Sequence, residues 1–297
     1  MSAALGRRAR LAASVVRGVN RTSRALGRGS GTVVGGRAGL LVDPTLLGEL
    51  AAGRRTALVS GTNGKTTTTR LLCVGVEDRM GPVATNTTGA NMPAGHVAAM
   101  AARVDAPAAV LEVDEGYLGQ LLDVARPSVV VLLNLSRDQL DRVAEVRHVA
   151  DRWRRALGDL RPEAAPVVVA NADDPLVVWA ATAAPSTRWV GAGLVWQEDA
   201  VGCPACGGRI SFGGPTGWTC ERCDLVRATP DVWLEGEEVV SMDGARRAVH
   251  LRVPGRFNRA NAAMAAVAAA VLLGDPGTSV GTEPFAHVLE RIATVDD

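Results

Sequence analysis

The sequence predicts an α/β protein in which a mostly parallel sheet is covered by helices, with a small four-cysteine module inserted near residue 203. Three observations predict it. Short, continuously apolar runs alternate with helix-period segments between residues 56 and 190, the pattern of strands buried on both faces. A glycine-rich turn, Ser60-Gly61-Thr62-Asn63-Gly64-Lys65-Thr66-Thr67, separates the first such run from a helical segment, which aims a helix N-terminus at an anion. Two Cys-x-x-Cys pairs then break the alternation.

The elements follow in order. The first 42 residues carry eight arginines and no acid, and Asp43 is the first carboxylate. Residues 7–26 read as one basic amphipathic helix, followed by a Gly-rich turn over 27–36. This composition is also that of a transit peptide, although the apolar core and cleavage site of a secretory signal are missing. Two uses of the helix stand open: docked on the main domain with its charges solvated, or drawn to an anionic membrane surface. Residues 56–60 read as a short buried strand and 66–77 as a helix, with Leu71, Leu72 and Val76 on one face. Cys73 lies on that face as a small buried hydrophobe. Strands are expected at 83–85, 108–113, 128–135, 166–170 and 188–190, and helices at 93–103, 117–125, 144–157 and after Pro175. From Leu194 to about Pro230 the chain is short-segmented, Gly-rich and cysteine-bearing. Residues 232–253 read as β-hairpins with turns at Gly236 and Asp243-Gly244. An alanine-rich helix ends at Leu273, and a last helix spans 284–292.

Composition bounds the function. The chain has 297 residues, is 47% hydrophobic and carries a net charge of +1, enough for a sizeable core and without a global pull toward nucleic acid. No apolar run reaches the ~18 residues that span a bilayer. Of the 32 Lys and Arg residues, only Lys65 is lysine. A compact ammonium fits a cradle of backbone N–H groups where a planar guanidinium does not. In a P-loop such a lysine reaches the β- and γ-phosphates, and the next hydroxyl, here Thr66, holds Mg²⁺. The general P-loop pattern would place its first glycine at Val59, so the match is imperfect.

Other polar groups punctuate the apolar strands. Glu112 interrupts one strand, and burying a carboxylate is costly without a cation; Asp114 and Glu115, just beyond, fit strand-end solvation. Asn134, Asp138, Gln139 and Asp141 follow the next strand, as Mg²⁺ and nucleotide ligands or as a helix cap built on Ser136 or Asp138. Cys203, Cys206, Cys220 and Cys223 suit a closed tetrahedral Zn²⁺ site, with two disulfides as the rival in an oxidising compartment.

Taken together, these motifs resemble the Mur ligase family, which joins a carboxylate to an amine through an acyl phosphate. Its P-loop, Gly-Thr-x-Gly-Lys-Thr, is matched from Gly61 to Thr66 and accounts for Val59. Its strand-borne metal-binding glutamate looks like Glu112. Its Asn-x-Thr-x-Asp-His-Leu-Asp motif is similar to Asn134-Leu135-Ser136-Arg137-Asp138-Gln139-Leu140-Asp141, with Gln139 in place of histidine. Its Asn-x-Asp-Asp segment is matched by residues 171–174, and its Gly-x-x-Asn-x-x-Asn motif on the adenine side by Gly255, Asn258 and Asn261. The resemblance covers about residues 40–275.

Within the family, Gln139, the segment 86–95 and the four-cysteine insert resemble the synthetase subunit of lipid II isoglutaminyl synthase. The absence of a large N-terminal nucleotide-sugar domain fits, as does the lack of a second lysine to carbamylate near Arg152, Trp153, Arg154 and Arg155. The resemblance implies an ATP-dependent ligase that activates the D-glutamate α-carboxylate of lipid II, supplied with ammonia by a GatD-like glutamine amidotransferase subunit. Implied cofactors are ATP, Mg²⁺ and Zn²⁺. Lys65, Glu112 and Asp138 would be catalytic. Gly61, Thr62, Asn63, Gly64, Lys65, Thr66, Thr67, Asn171, Asp174, Asn258 and Asn261 would bind ATP. Thr66 and Glu112 would hold Mg²⁺, and Asn86, Asn91, Asn134 and Gln139 would support substrate. The expected domains are a basic N-terminal segment 1–48, a central ATP-binding domain 49–275 with a zinc ribbon at 195–230, and 276–297 as the start of a C-terminal domain that the chain otherwise lacks. The expected location is cytoplasmic, with peripheral attachment to the inner face of the membrane left open, and with no nucleic-acid partner and no membrane span. Two alternatives differ in class: another Mur-like ligase related to folylpolyglutamate synthase, and a P-loop zinc-ribbon protein that binds nucleic acid.

Overall fold

A computed structural model describes residues 5–25, 32–86, 90–136, 143–194, 197–214, 217–252 and 255–295. Among these, the main sheet has nine strands in the order β11-β10-β9-β6-β5-β4-β1-β3-β2. The strands are β1 (Arg55–Ser60), β2 (Val83–Thr85), β3 (Ala108–Val113), β4 (Val129–Leu132), β5 (Val167–Asn171), β6 (Thr187–Gly191), β9 (Val232–Glu235), β10 (Glu238–Ser241) and β11 (Arg246–Ala248). From β2 to β9 all neighbours are parallel, while β9, β10 and β11 pair antiparallel. The hairpins expected at 232–253 therefore extend the main sheet rather than standing apart.

Continuous apolar runs become strands buried on both faces because alternate side chains enter two cores. Leu58, Leu111, Val130, Leu132 and Val168 face one core. Ala57, Val59, Val110, Val131 and Val169 face the other. The first core is closed by α1 (Arg7–Ala25), α3 (Leu46–Ala51), α5 (Pro93–Ala102), α6 (Leu118–Ala125), α7 (Val143–Gly158) and α8 (Pro175–Ala181). The second is closed by α4 (Lys65–Met80), α9 (Arg256–Leu272) and α10 (Glu283–Ile292). Each fully buried leucine contributes about 1.5–3 kcal/mol. Cys73 packs against the second core, and burial pushes its thiol up to about 12.

Two expectations at the chain's ends need revision or detail. The Gly-rich stretch expected as a turn over 27–36 includes the start of a helix, α2 (Thr32–Val42). Its glycines serve close packing. A Cβ on Gly36 would lie 1.8 Å from the Ala94 carbonyl oxygen, and one on Gly39 would lie 2.3 Å from Val16. Helix α1 buries Ala9, Ala12, Ala13 and Val16 and leaves Arg7, Arg8 and Arg10 exposed, so it docks on the main body. In the segment 276–297, α10 places Phe285, Val288 and Ile292 in the same core as α4 and α9. No helix among the described residues is long and apolar enough to cross a membrane.

Candidate functional site

The parallel register brings the C-terminal ends of β1, β3 and β4 to one edge, with Val59 beside Glu112 and Ser60 beside both Val113 and Leu132. The glycine-rich loop leaves β1 at this edge and enters α4 at Lys65. Gly64 has φ +85°, and a Cβ there would lie 2.5 Å from Asn261 Oδ1, so only glycine fits both the backbone and the space. The loop is clamped by the segment after β4. Asn134 accepts from the Asn63 amide at 3.0 Å and donates to the Asn63 carbonyl at 2.9 Å. The Thr62 hydroxyl donates to the Ser136 carbonyl at 3.1 Å and accepts from the Ser136 amide at 3.0 Å. Asn63 Nδ2 donates to Ser136 Oγ at 3.1 Å. Residues 134 and 136 thus pre-form the cradle.

Lys65 Nζ donates to the Gly61 and Thr62 carbonyls at 2.5 and 3.1 Å and pairs with Glu115 at 3.4 Å. Glu115, expected to be solvated, is instead the counter-charge of the lone lysine. Trp153 Nε1 donates to its carbonyl at 2.9 Å. Nothing in the local sequence separates Glu115 from Asp114; the turn after β3 decides which carboxylate reaches the lysine.

Glu112 is 4% exposed and accepts a 2.8 Å bond from the Thr66 hydroxyl. Its backbone is gripped from behind. Asn86 accepts from the Glu112 amide and donates to the Glu112 carbonyl, both at 2.8 Å. His96 Nε2 donates to the same carbonyl at 2.8 Å, which assigns the proton to Nε2 and leaves the buried Nδ1 without a protein partner. Burial holds His96 below the usual histidine range, so the ring is neutral. The sequence reading missed His96, a histidine on an apolar helix face. Asn86, expected to support substrate, is 3% exposed and spends its amide on Glu112 and on the Ala90 carbonyl. It is a brace. Asn91 offers its carbonyl to the Asp114 amide at 3.0 Å.

Two clefts flank the loop. One is lined by Asn63, Gly64, Asn134, Asn171, Gly193, Phe257 and Asn261. It joins the glycine-rich loop, the end of β5 and the first turns of α9, and so collects Asn63, Gly64, Asn171 and Asn261 of the expected ATP ligands. Asn171 Nδ2 donates to the Gly193 carbonyl at 3.1 Å, and Asn171 Oδ1 accepts from the Asp173 amide at 3.0 Å. Asn258 lies half-buried in the first turn of α9, and Thr67 lies half-buried in the first turn of α4. The other cleft is lined by Lys65, Asp114, Glu115, His148, Arg152 and Arg155, placing α7 cations, unassigned from sequence, beside the lysine.

Asp174 stands apart from its expected role. It is fully buried, and its oxygens accept from the Leu135, Leu176 and Val177 amides at 2.8, 2.9 and 3.2 Å. It caps α8 and ties that helix to the segment after β4, and it is not among the residues that line the cleft beside the glycine-rich loop. Burial pushes its carboxyl up to about 6, while the three amides pull the other way. Asp138, Gln139 and Asp141 lie outside the described residues.

The cysteine module is a hairpin of β7 (Ile210–Gly214) and β8 (Gly217–Cys220). Its four sulfurs lie within 4.8 Å of one another, with Cys203–Cys223 and Cys206–Cys220 at 3.6 Å. Zn–S bonds of about 2.3 Å in a tetrahedron set S···S edges near ~3.8 Å, whereas a disulfide is about 2.05 Å. All are free thiols, so the donor set fits one tetrahedral thiophilic ion. The Gly208 and Arg222 amides donate to Cys206 and Cys220 sulfurs at 3.3 and 3.4 Å, bonds that favour thiolates.

Comparison with known proteins agrees with this geometry. Residues 59–194 match the Mur ligase middle domain. The lipid II isoglutaminyl synthase (glutamine-hydrolyzing) subunit MurT of Streptococcus pneumoniae is 30% identical over 273 residues, covering 84% of this chain and 59% of that protein. The UDP-N-acetylmuramate–L-alanine ligase of Mycobacterium sp. (strain JLS) is 30% identical over 257 residues, covering 86% of this chain and 48% of that one. The chain therefore spans roughly half the length of the curated relatives it matches. A pseudomurein peptide ligase type C from Methanothermus fervidus superposes with a TM-score of 0.58 at 24% identity, over 82% of this chain and 50% of that chain. The matched segment runs from the end of β1 past β6 and so contains the loop, Glu112 and Asn171; the chain carries a Mur ligase middle domain, as its motifs imply.

Proposed function

We propose that this protein is the nucleotide-binding part of an ATP-dependent ligase of peptidoglycan synthesis, of the kind that amidates lipid II. The observation that carries the reading is the meeting of Lys65, Thr66 and Glu112 at one sheet edge, with Thr66 Oγ1 and Glu112 Oε2 2.8 Å apart. A hydroxyl and a buried carboxylate side by side beneath a P-loop are the hard oxygen ligands that Mg²⁺ takes. When bound, Mg²⁺ would spread the negative charge of the β- and γ-phosphates. Lys65 supplies the fixed positive charge on the same oxygens, and Glu115 keeps its ammonium aimed into the cleft. Asn258 and Asn261 stand on the adenine side.

In the reaction, an oxygen of the D-glutamate α-carboxylate attacks the γ-phosphorus of ATP and ADP leaves. The nitrogen of ammonia then attacks the acyl carbon, inorganic phosphate leaves with the C–O bond's electrons, and the nitrogen gives up one proton to the departing phosphate or to water. Positioning and charge stabilisation supply most of the acceleration in such transfers. The exposed Arg152 and Arg155 beside Lys65 suit the anionic acceptor. A GatD-like glutaminase is the proposed ammonia source, and the cysteine module is proposed to hold one structural Zn²⁺. The relative's printed function supports the amidation branch, and so does the four-cysteine insert.

The test is calorimetric titration with ATP and Mg²⁺, followed by an amidation assay with lipid II, glutamine and the glutaminase. Lys65→Ala should weaken ATP·Mg²⁺ binding by more than about tenfold, the loss of one charge-assisted contact. Parental affinity in Lys65→Ala would sink the assignment of this loop.

A further inference from the structure

The cysteine module does not stand clear of the nucleotide cleft. Trp218, on β8, is 2% exposed and donates from Nε1 to the Ala172 carbonyl at 3.1 Å. Arg227 donates from Nε to Asp173 Oδ1 at 2.6 Å. The other Asp173 oxygen accepts from the Gly193 amide at 2.7 Å. Asp173 in turn donates its own amide to Asn171, whose side chain bonds the Gly193 carbonyl. Asn171 and Gly193 line the cleft, on the wall that the proposed function gives to adenine. Two contacts from the module therefore land on the turn that shapes this wall.

The module's covalent layout holds both contacts together. Trp218 and Arg227 flank the Cys220–Cys223 pair in sequence, and the Arg227 amide donates to the Trp218 carbonyl at 3.0 Å. The knuckle that presents two of the four sulfurs thus closes the loop on whose ends the two props sit. Behind it, Val178 of α8 packs into the apolar cluster of Cys203, Ile210 and Trp218. The Arg227–Asp173 pair is four-fifths shielded, with both side chains 20% exposed. A pair so shielded holds its geometry better than a solvated one.

We propose that the cysteine module sets nucleotide affinity, with Trp218 and Arg227 as positioning residues that fix the Asp173 turn and hence Gly193 and Asn171. This rests on the reading that the cleft takes a nucleotide. It gives the insert a task inside the ligase reaction, through the shape of the adenine-side wall.

The experiment measures ATP·Mg²⁺ affinity by calorimetry, zinc content by metal analysis and thermal midpoint, in the full chain and in Arg227→Ala, Arg227→Lys and Trp218→Phe. Arg227→Ala should weaken ATP about tenfold, as the loss of one shielded charged bond converts, with zinc content equal to the parent's. Arg227→Lys should recover most of that loss, because an ammonium still reaches Asp173. Trp218→Phe keeps the packing but loses the bond to Ala172 and should weaken ATP several-fold. Amide exchange at Gly193 should quicken in Arg227→Ala. Parental affinity in both Arg227→Ala and Trp218→Phe overturns the proposal while leaving the nucleotide reading intact. A parent chain that binds no ATP overturns the nucleotide reading itself, and this proposal with it.

Discussion

Replacing Asp174 by alanine should destabilise the protein by about 3 kcal/mol at neutral pH. The carboxylate is fully buried and accepts from three backbone amides, those of Leu135, Leu176 and Val177. Alanine leaves all three donors without a partner at a place water does not reach. Each such orphan costs about 1–3 kcal/mol, and two of them are also the lost cap of α8, about 1 kcal/mol in typical helices. Against this stands the relief of a buried charge, so the lower end of the sum is taken. The pH dependence carries a sign. The folded carboxyl is pushed up to about 6 from a reference of 3.8. Its contribution is whole below the reference value and is lost as pH rises through about 6. The loss caused by Asp174→Ala should therefore be larger at pH 5 than at pH 7. Urea denaturation followed by circular dichroism, at both pH values, measures the two differences. A loss below about 1 kcal/mol at pH 7, or a smaller loss at pH 5, would refute the reasoning.

The remaining expectations concern the cradle. Glu112→Gln keeps an acceptor for Thr66 but removes the charge, so ATP affinity should lose its dependence on Mg²⁺; titration with and without the metal decides it, and a retained Mg²⁺ effect counts against Glu112 as a ligand. His96 is held below the usual histidine range by burial. Its contribution is whole above the unfolded value of about 6.5 and is lost as pH falls. His96→Gln, which can still donate to the Glu112 carbonyl, should therefore lose less stability than the parent between pH 7 and 5, and an equal loss would show that the ring is not the titrating group. Gly64→Ala forces a left-handed φ on an L side chain, about 1–2 kcal/mol, and crowds Asn261 at 2.5 Å; both thermal stability and ATP affinity should fall, and unchanged affinity would mean the loop shape does not matter.

Much of this protein is legible in its sequence because the signals are local. Alternating apolar runs and helical periods require only neighbours in the chain, so strands such as 108–113 and helices such as 93–102 fall within a residue or two of their expected bounds. The lone lysine in a glycine-rich turn and the paired cysteines likewise carry their chemistry in spacing. What the chain alone left undecided is where a polar side chain points. Asn86 and Asp174 sit at strand ends, where a ligand-binding residue and a buried brace look alike in sequence. Parallel pairing of β2 with β3 brings Asn86 to the Glu112 backbone, and pairing of β4 with β5 brings Asp174 to the Leu135 amide. Glu115 and His96 acquire partners 50 and 16 residues away, separations that no periodicity records. Gly35 and Gly36 of α2 read as part of a turn until α1 and α5 are packed against them. Tertiary structure decided these points because each depends on which backbone donors and which neighbouring helix end up within a few ångströms, and only the assembled sheet brings those groups together.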